Sequence, residues 1–411
     1  MAAASVFIFI TVLLDMLALG VIVPVLPSLV VQFRGGNTTS GATIYGWFAT
    51  TWAIMQFACS PILGSLSDRF GRRPVILLSN LGLGLDYLVM AAAPSLWWLF
   101  VGRIVSGITS SSFGTASAYI ADVTPPAERA AKFGMLGVAF GVGFIVGPAV
   151  GGLLGGLSLR APFWGAAALS LANAAYGFFI LPESLPRGRR TPFHWRRANP
   201  VGSIRFLQSH AQLLPLGVAV FLSMLAHDSL PLMAVLYTEY RYGWTERTIG
   251  FVLSGVGIAS IVVQGGLVGR IVASLGERRA LALGLACGAT GMFVYALAPT
   301  GGVFVSGLVM TALYGLSHPS IQSLMTRRAG ADEQGQLQGA IASLNGIAAM
   351  IAPVVFANLF AAAIGPYRRL HMPGAPFLLA GALLVSALIV SWRVTTPNEA
   401  STMSGGTIGS R

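Results

Sequence analysis

The sequence predicts an all-α membrane protein of about twelve transmembrane helices, arranged as two pseudo-symmetric six-helix bundles. Three observations carry this expectation. Hydrophobic residues make up 55% of the chain and charged residues 9%, with a mean hydropathy of +0.75. A soluble domain carries roughly 25% charged residues, so a chain this poor in charge suits lipid as its solvent. Apolar stretches of about 18 to 28 residues recur throughout, each long enough to cross a hydrocarbon layer of about 30 Å. The two halves also echo each other at an offset of about 205 residues. Gly71-Arg72-Arg73 is matched by Gly276-Glu277-Arg278-Arg279, and Gly134 by Gly339.

The predicted spans lie near residues 5–33, 43–64, 75–94, 96–121, 134–157, 161–182, 213–238, 247–273, 280–298, 301–325, 336–362 and 374–393. The N-terminus has no basic segment, and the apolar run after it is too long for a signal peptide, so it reads as the first span. Residues 1–182 form the first bundle and 213–394 the second. Between them, 183–212 is a hydrophilic linker containing Arg187-Gly-Arg-Arg190 and Trp195-Arg-Arg197. The Gly-rich segment 395–411 reads as a disordered tail.

Orientation follows from the positive charges. With both termini cytoplasmic, Arg34, Arg160, Arg241, Arg247, Arg368 and Arg369 face outward, Arg103 lies within a span, and the other 18 of the 25 Lys and Arg residues face the cytoplasm. Positive residues concentrate on cytoplasmic loops, which selects this topology. The net charge of +12 is scattered in short patches between apolar runs, with no basic helix interleaved with aromatics, so a nucleic-acid partner is not expected. Cys59 and Cys287 sit singly in apolar runs, without disulfide or metal spacing. No zinc pattern, nucleotide-binding glycine loop or Ser/His/Asp set appears, so neither an enzyme nor a resident metal or cofactor is expected. The partners implied are the bilayer and a small molecule, with no obligate protein partner.

Two strings carry the mechanism. Between spans two and three stands Gly64-Ser-Leu-Ser-Asp68-Arg69-Phe-Gly71-Arg72-Arg73-Pro74. Its glycines permit a tight turn, its arginines anchor the loop, and Asp68 can pair with them as a conformational latch. Span five holds Gly134, Gly143, Gly147-Pro148 and Gly151-Gly152, small residues that let a neighbouring backbone approach closely, with a proline that permits a bend.

Together with Leu14-Asp15 to Pro24-Val-Leu-Pro27 and Gly102-Arg103-Ile-Val-Ser-Gly107, these strings resemble the major facilitator superfamily, and within it the twelve-span drug/proton antiporters. The resemblance is greatest to bacterial tetracycline/proton antiporters, through Ser67-Asp-Arg-Phe-Gly-Arg-Arg-Pro74, Leu85-Asp86-Tyr87, Leu181-Pro-Glu-Ser184, Leu236-Tyr-Thr-Glu-Tyr-Arg-Tyr-Gly-Trp244 and Gly335-Gln-Leu-Gln-Gly339. It implies the major facilitator fold, a bacterial inner membrane, and export of a tetracycline-like or broader drug in exchange for protons. The substrate would arrive as a magnesium chelate if tetracycline-like. The alternative is a metabolite or lipid transporter of the same fold.

An ionised group at the bilayer centre costs about 2.5–3.5 kcal/mol on insertion scales, so those within spans should face a partner or a polar cavity. These are Asp15, Asp86, Arg103 and Asp228, with His227 beside Asp228 and His318 in span ten. Gln264 and Asn345 are further candidates for a cavity lining, each equally suited to an interhelical hydrogen bond. Tyr87, Phe113, Tyr119, Trp164, Phe251, Phe293 and Tyr314 could supply its walls, although aromatics at helical spacing are more often packing. The resemblance assigns essential roles to the positions of Asp15, Asp86 and Arg103. It also implies a histidine in span eight and an acid in span nine, yet Gly257–Ile261 and Leu283–Ala289 contain neither. Asp228 is the acid that can take over. The topology has its own test. A cysteine at position 195 should react with membrane-impermeant maleimide only in everted membranes, and labelling from outside intact cells would reverse the orientation.

Overall fold

The computed structural model describes residues 2–110, 112–125, 128–190, 206–330 and 333–395. Trp195-Arg-Arg197 and the tail beyond 395 lie outside them. The described residues form helices and turns without strands, as lipid demands of any unclosed chain whose backbone groups must bond internally. Among the described residues, nine helical stretches are long and apolar enough to cross a membrane. The remaining crossings have other forms. Span two is the long helix Thr38–Phe70, and span four is the pair Leu96–Thr109 and Ser112–Val123. The run Glu246–Leu297 leaves helical geometry at Gly276 and so supplies spans eight and nine.

The sequence echo reappears in the backbone. Gly71 has φ 110° and ψ 159°, and Gly276 has φ 75° and ψ 158°. Both sit in a region essentially reserved for glycine, and each turns the chain between paired crossings. Spans one, four, seven and ten share another property: each is divided. Ala2–Ile22 is followed by Leu26–Phe33, and Leu214–His227 by Ser229–Tyr242. Gly301–Leu313 passes through a 3-10 turn, Tyr314–Leu316, into Ser317–Thr326. Every third span is therefore broken. Backbone released at membrane depth is tolerated where it is buried in protein or lines a cavity, and span eight carries an irregularity of its own, the π-helical turn Val263–Leu267.

The halves meet along two seams, span two on span eleven (Gln334–Ile364) and span five (Arg129–Gly155) on span eight. The seams are pseudo-equivalent. A Cβ on Gly46 would lie 2.8 Å from the carbonyl oxygen of Pro353, and one on Gly250 would lie 2.3 Å from that of Pro148. Gly152 packs on Glu246 and Gly250, and Thr50 donates to the Met350 carbonyl at 3.1 Å. On the outermost turns Ser28 donates to Glu239 at 3.1 Å. These contacts lie toward one end of the molecule. At the opposite end, which carries Asp68 and the arginines, Gly64, Gly134, Gly137, Gly265 and Gly269 have open space where a Cβ would stand. The halves thus converge at one end and stand apart at the other.

Closure by backbone has a checkable cost. With single cysteines at positions 50 and 350 in a cysteine-free background, a short bis-maleimide should join the halves. Gly250→Leu on the other seam should reduce the yield several-fold, whereas Gly255→Ala, whose Cβ meets nothing within 4 Å, should leave it unchanged.

Candidate functional site

Three charged groups lie deep in the first bundle. Asp15 on span one is 4% exposed and accepts from Asn173 Nδ2 of span six at 2.8 Å. Asn80 of span three, in the amide orientation that satisfies both its ends, donates to the two carboxylate oxygens at 3.1 Å and accepts from Asn173 at 3.0 Å. Asn173 also donates to the Thr11 carbonyl, which fixes its plane. Two buried amides therefore hold this carboxylate inside the bundle, in place of the solvent it has lost. Neither asparagine stood out in the sequence, although a polar amide in an apolar run was the available signal.

Asp86 on span three is 2% exposed, and Arg103 on span four is 5% exposed. Their closest approach is 3.7 Å, with Arg103 NH2 also 3.4 Å from the Met90 sulfur. Neither Asp86 oxygen has a hydrogen bond among the described residues. This is an ion pair with capacity to spare, and its arginine reaches beyond it. Arg103 lines a cavity of about 270 Å³ between the halves, together with Tyr45 and Trp52 of span two, Phe144 of span five, Pro353 of span eleven and Asp228 of span seven. Arg103 and Asp228 are the charged residues of that lining.

Asp228 sits at the break in span seven, as the C-cap of Leu214–His227 and the N-cap of Ser229–Tyr242. Its neighbour His227 lines a different space, a chamber of about 530 Å³ in the second bundle, shared with Gln264 and His318. Gln264 stands in a π-helical turn, Val263–Leu267, of span eight. Asn345 lies on span eleven, lining neither space, and its Oδ1 has no hydrogen bond among the described residues. The structure thus brings Arg103 and Asp228 to one cavity and His227, Gln264 and His318 to another, while Asp15 and Asp86 stand behind the walls.

The span-five glycines divide their labour. Gly143 packs on Met16, Gly147 on Gly20 and Gly151 on Val21, locking span five to span one, while Gly152 and Pro148 face span eight. A Cβ on Gly134 would meet nothing within 4 Å. In the charged turn, Arg72 is the hub. It contacts Asp68 at 2.6 Å, Asp122 at 3.0 Å and Ser67 at 2.6 Å, and its backbone N–H donates to Glu183 at 2.9 Å. Asp122 at the end of span four and Glu183 at the start of the linker complete the cluster, and Arg190 of the linker reaches Glu183 at 4.0 Å. Arg69 lies over the ring of Phe70, and Arg73 over that of Phe178.

Comparison with known proteins places this architecture. Residues 8–353 match the Major Facilitator Superfamily. The chain belongs to that superfamily. It is 38% identical to the class C tetracycline resistance protein of Escherichia coli, over 88% of this chain and 90% of the relative. It is 37% identical to the class E tetracycline resistance protein of the same organism, over 92% and 91%. The fold also matches the crystal structure of a D-xylose–proton symporter, with a TM-score of 0.75 and 16% identity, covering 95% of this chain and 98% of that one. The chain is therefore a multi-pass membrane transporter of that superfamily, related to tetracycline resistance proteins.

The asparagine clamp yields a stability prediction. Asn173→Ala withdraws a donor from a buried carboxylate, which should cost about 1–3 kcal/mol. Unfolding of the detergent-solubilised transporter should register this loss, and an unchanged midpoint would show that Asn173 does not hold Asp15.

Proposed function

We propose that this transporter exports a small amphipathic drug of the tetracycline kind in exchange for protons, by alternating access, with the arginine-rich end and both termini in the cytoplasm. The supporting observation is the cavity between the halves, where Arg103 and Asp228 stand on opposite bundles within aromatic and aliphatic walls. The relatives' names supply the substrate class. An apolar cavity with one cationic and one anionic group suits a molecule that is partly charged and largely apolar.

The coupling follows from competition. With Asp228 ionised, it holds the cationic portion of the drug, or of its magnesium chelate, while Arg103 faces the anionic portion. A proton on Asp228 removes that hold and releases the drug, and loss of the proton to the cytoplasm resets the site. Proton and drug then occupy the same group at different times, which is the requirement for exchange. Asp86 behind Arg103 balances the guanidinium while the cavity is empty. The Asp68–Arg72 cluster works as a latch that is undone in this form, because its partners lie in the first bundle and the adjoining linker, none of them in the second bundle, and a Cβ on Gly64 would meet nothing within 4 Å. When the cytoplasmic end closes, that turn meets the second bundle.

Expression in a sensitive bacterium should raise tetracycline resistance well above that to unrelated drugs. In everted vesicles, Asp228→Asn should abolish tetracycline accumulation driven by an imposed pH gradient while sparing counterflow. Accumulation at the parental rate in this variant would remove Asp228 from the mechanism.

A further inference from the structure

The second bundle contains a set of hydrogen-bonding and titratable groups that the cavity between the halves does not use. Thr311, Tyr314, His318 and Gln322 recur at spacings of three and four along span ten, so they form one stripe down a single face. Eleven residues separate the first from the last, about 16 Å of helix or roughly half the hydrocarbon thickness. The stripe opens onto three adjoining spaces. The chamber of about 530 Å³ is bounded by His227, Tyr314 and His318. One of about 50 Å³ lies beside His227 and Thr311, and one of about 10 Å³ beside His318, Ser317 and Gln322. A water needs about 10–15 Å³ of such volume, so the first two have room for it and the third is at the limit.

The stripe is held in place. The Tyr314 hydroxyl bonds Ser223 Oγ at 2.6 Å, and its ring stacks on His227 with centroids 5.2 Å apart. Thr311 Oγ1 lies 2.7 Å from the Tyr295 hydroxyl, extending the series toward the closed end. Gln322 donates to Gln338 at 3.0 Å, toward the open end. Both imidazoles are open to the chamber, and neither makes a hydrogen bond among the described residues. Ser317 Oγ is buried and without a partner there, as a group that expects water would be. Groups from every flanking span face the pair. They are Thr311 and Tyr314 on span ten and Ser260 and Gln264 on span eight, while Asp228, next in sequence on span seven, borders the other cavity. The described lining of the chamber contains no carboxylate and no guanidinium.

We infer that His227 and His318 carry the coupling proton through the second bundle, between Asp228 and the chamber, in the place that an acid of span nine would otherwise fill. This rests on the proton-exchange reading above. Residues 227 and 228 are consecutive at the break of span seven and face the two different spaces, so that turn is the wall between drug and proton. An imidazole accepts a proton at one ring nitrogen and releases one from the other, leaving no net change after each passage. Neither bond making nor bond breaking beyond these N–H bonds is involved. Drug occupying the cavity between the halves therefore need not block the route by which its competitor arrives.

Proteoliposomes with tetracycline as the probe test this, comparing the parent, His227→Gln, His318→Gln, the double variant, and His371→Asn at an exposed turn. Accumulation driven by an imposed pH gradient should fall at least ten-fold in the double variant, with counterflow within two-fold of the parent and His371→Asn unaffected. Parental pH-driven accumulation in the double variant would overturn the inference. So would equal loss of both modes, which would make the chamber a drug site. If the parent itself moves no tetracycline, the proposed function falls, and carbethoxylation of the purified transporter decides this inference alone. Diethylpyrocarbonate should modify two fewer histidines in the double variant, and an unchanged count would mean the chamber is closed to solvent.

Discussion

The transporter depends on one close contact made twice: a glycine backbone laid against the carbonyl of a proline-containing turn in the opposite half. Gly46 meets Pro353 and Gly250 meets Pro148. Each proline cannot donate the i→i−4 hydrogen bond of its own helix, so its turn bends there, and only glycine leaves room for what the bend brings near. In lipid there is no hydrophobic gain from burying one apolar helix on another, so association rests on packing and close approach. The two seams therefore hold the halves together at one end, and from them follow the wedge between the bundles and the cavity at its apex.

The internal charges obey a common constraint solved in three ways. Asp15 is enclosed by two amides, Asp86 by an arginine, and Asp228 by the cavity it borders. The first two solutions fix the carboxylate with protein partners. The third leaves it to whatever enters the cavity, and that difference separates structural from exchangeable charge more clearly than depth in the membrane does. The charged turn repeats the distinction near the end of the bundle, since Arg72 is satisfied by Asp68, Asp122 and Ser67 while Asp68 remains half open to solvent.

Much of this was legible in the sequence. Hydropathy gave the crossings because a bilayer sets a length scale that composition must meet, and the Gly71/Gly276 echo marked turns that only glycine can make. An acid within span seven was legible as a group that must face a partner or a cavity; that Asp228 and His227 line different spaces was not. Consecutive residues on a helix diverge by about 100° whatever their function, and the break that sends them to different spaces leaves no motif. Asn80 and Asn173 escaped notice because an amide is cheaper to bury than a charge and stands out less. Asp122 and Glu183 escaped because they lie just past the spans, where acids are common. The division of spans one, four, seven and ten is a tertiary property, spread over Gly, Pro and Ser residues that membrane helices carry anyway.

A seal made from backbone has a consequence for how such a transporter changes over generations. The far end is closed largely by backbone laid on backbone, with side-chain bonds from Ser28 and Thr50, while the cavity is lined by side chains such as Trp52, Tyr45, Phe144 and Leu232. Substitutions in the second group alter the shape of the cavity without touching the first. Altered drug preference can therefore accumulate in single steps without a leaky intermediate, and selection by a modified antibiotic has a short path open to it.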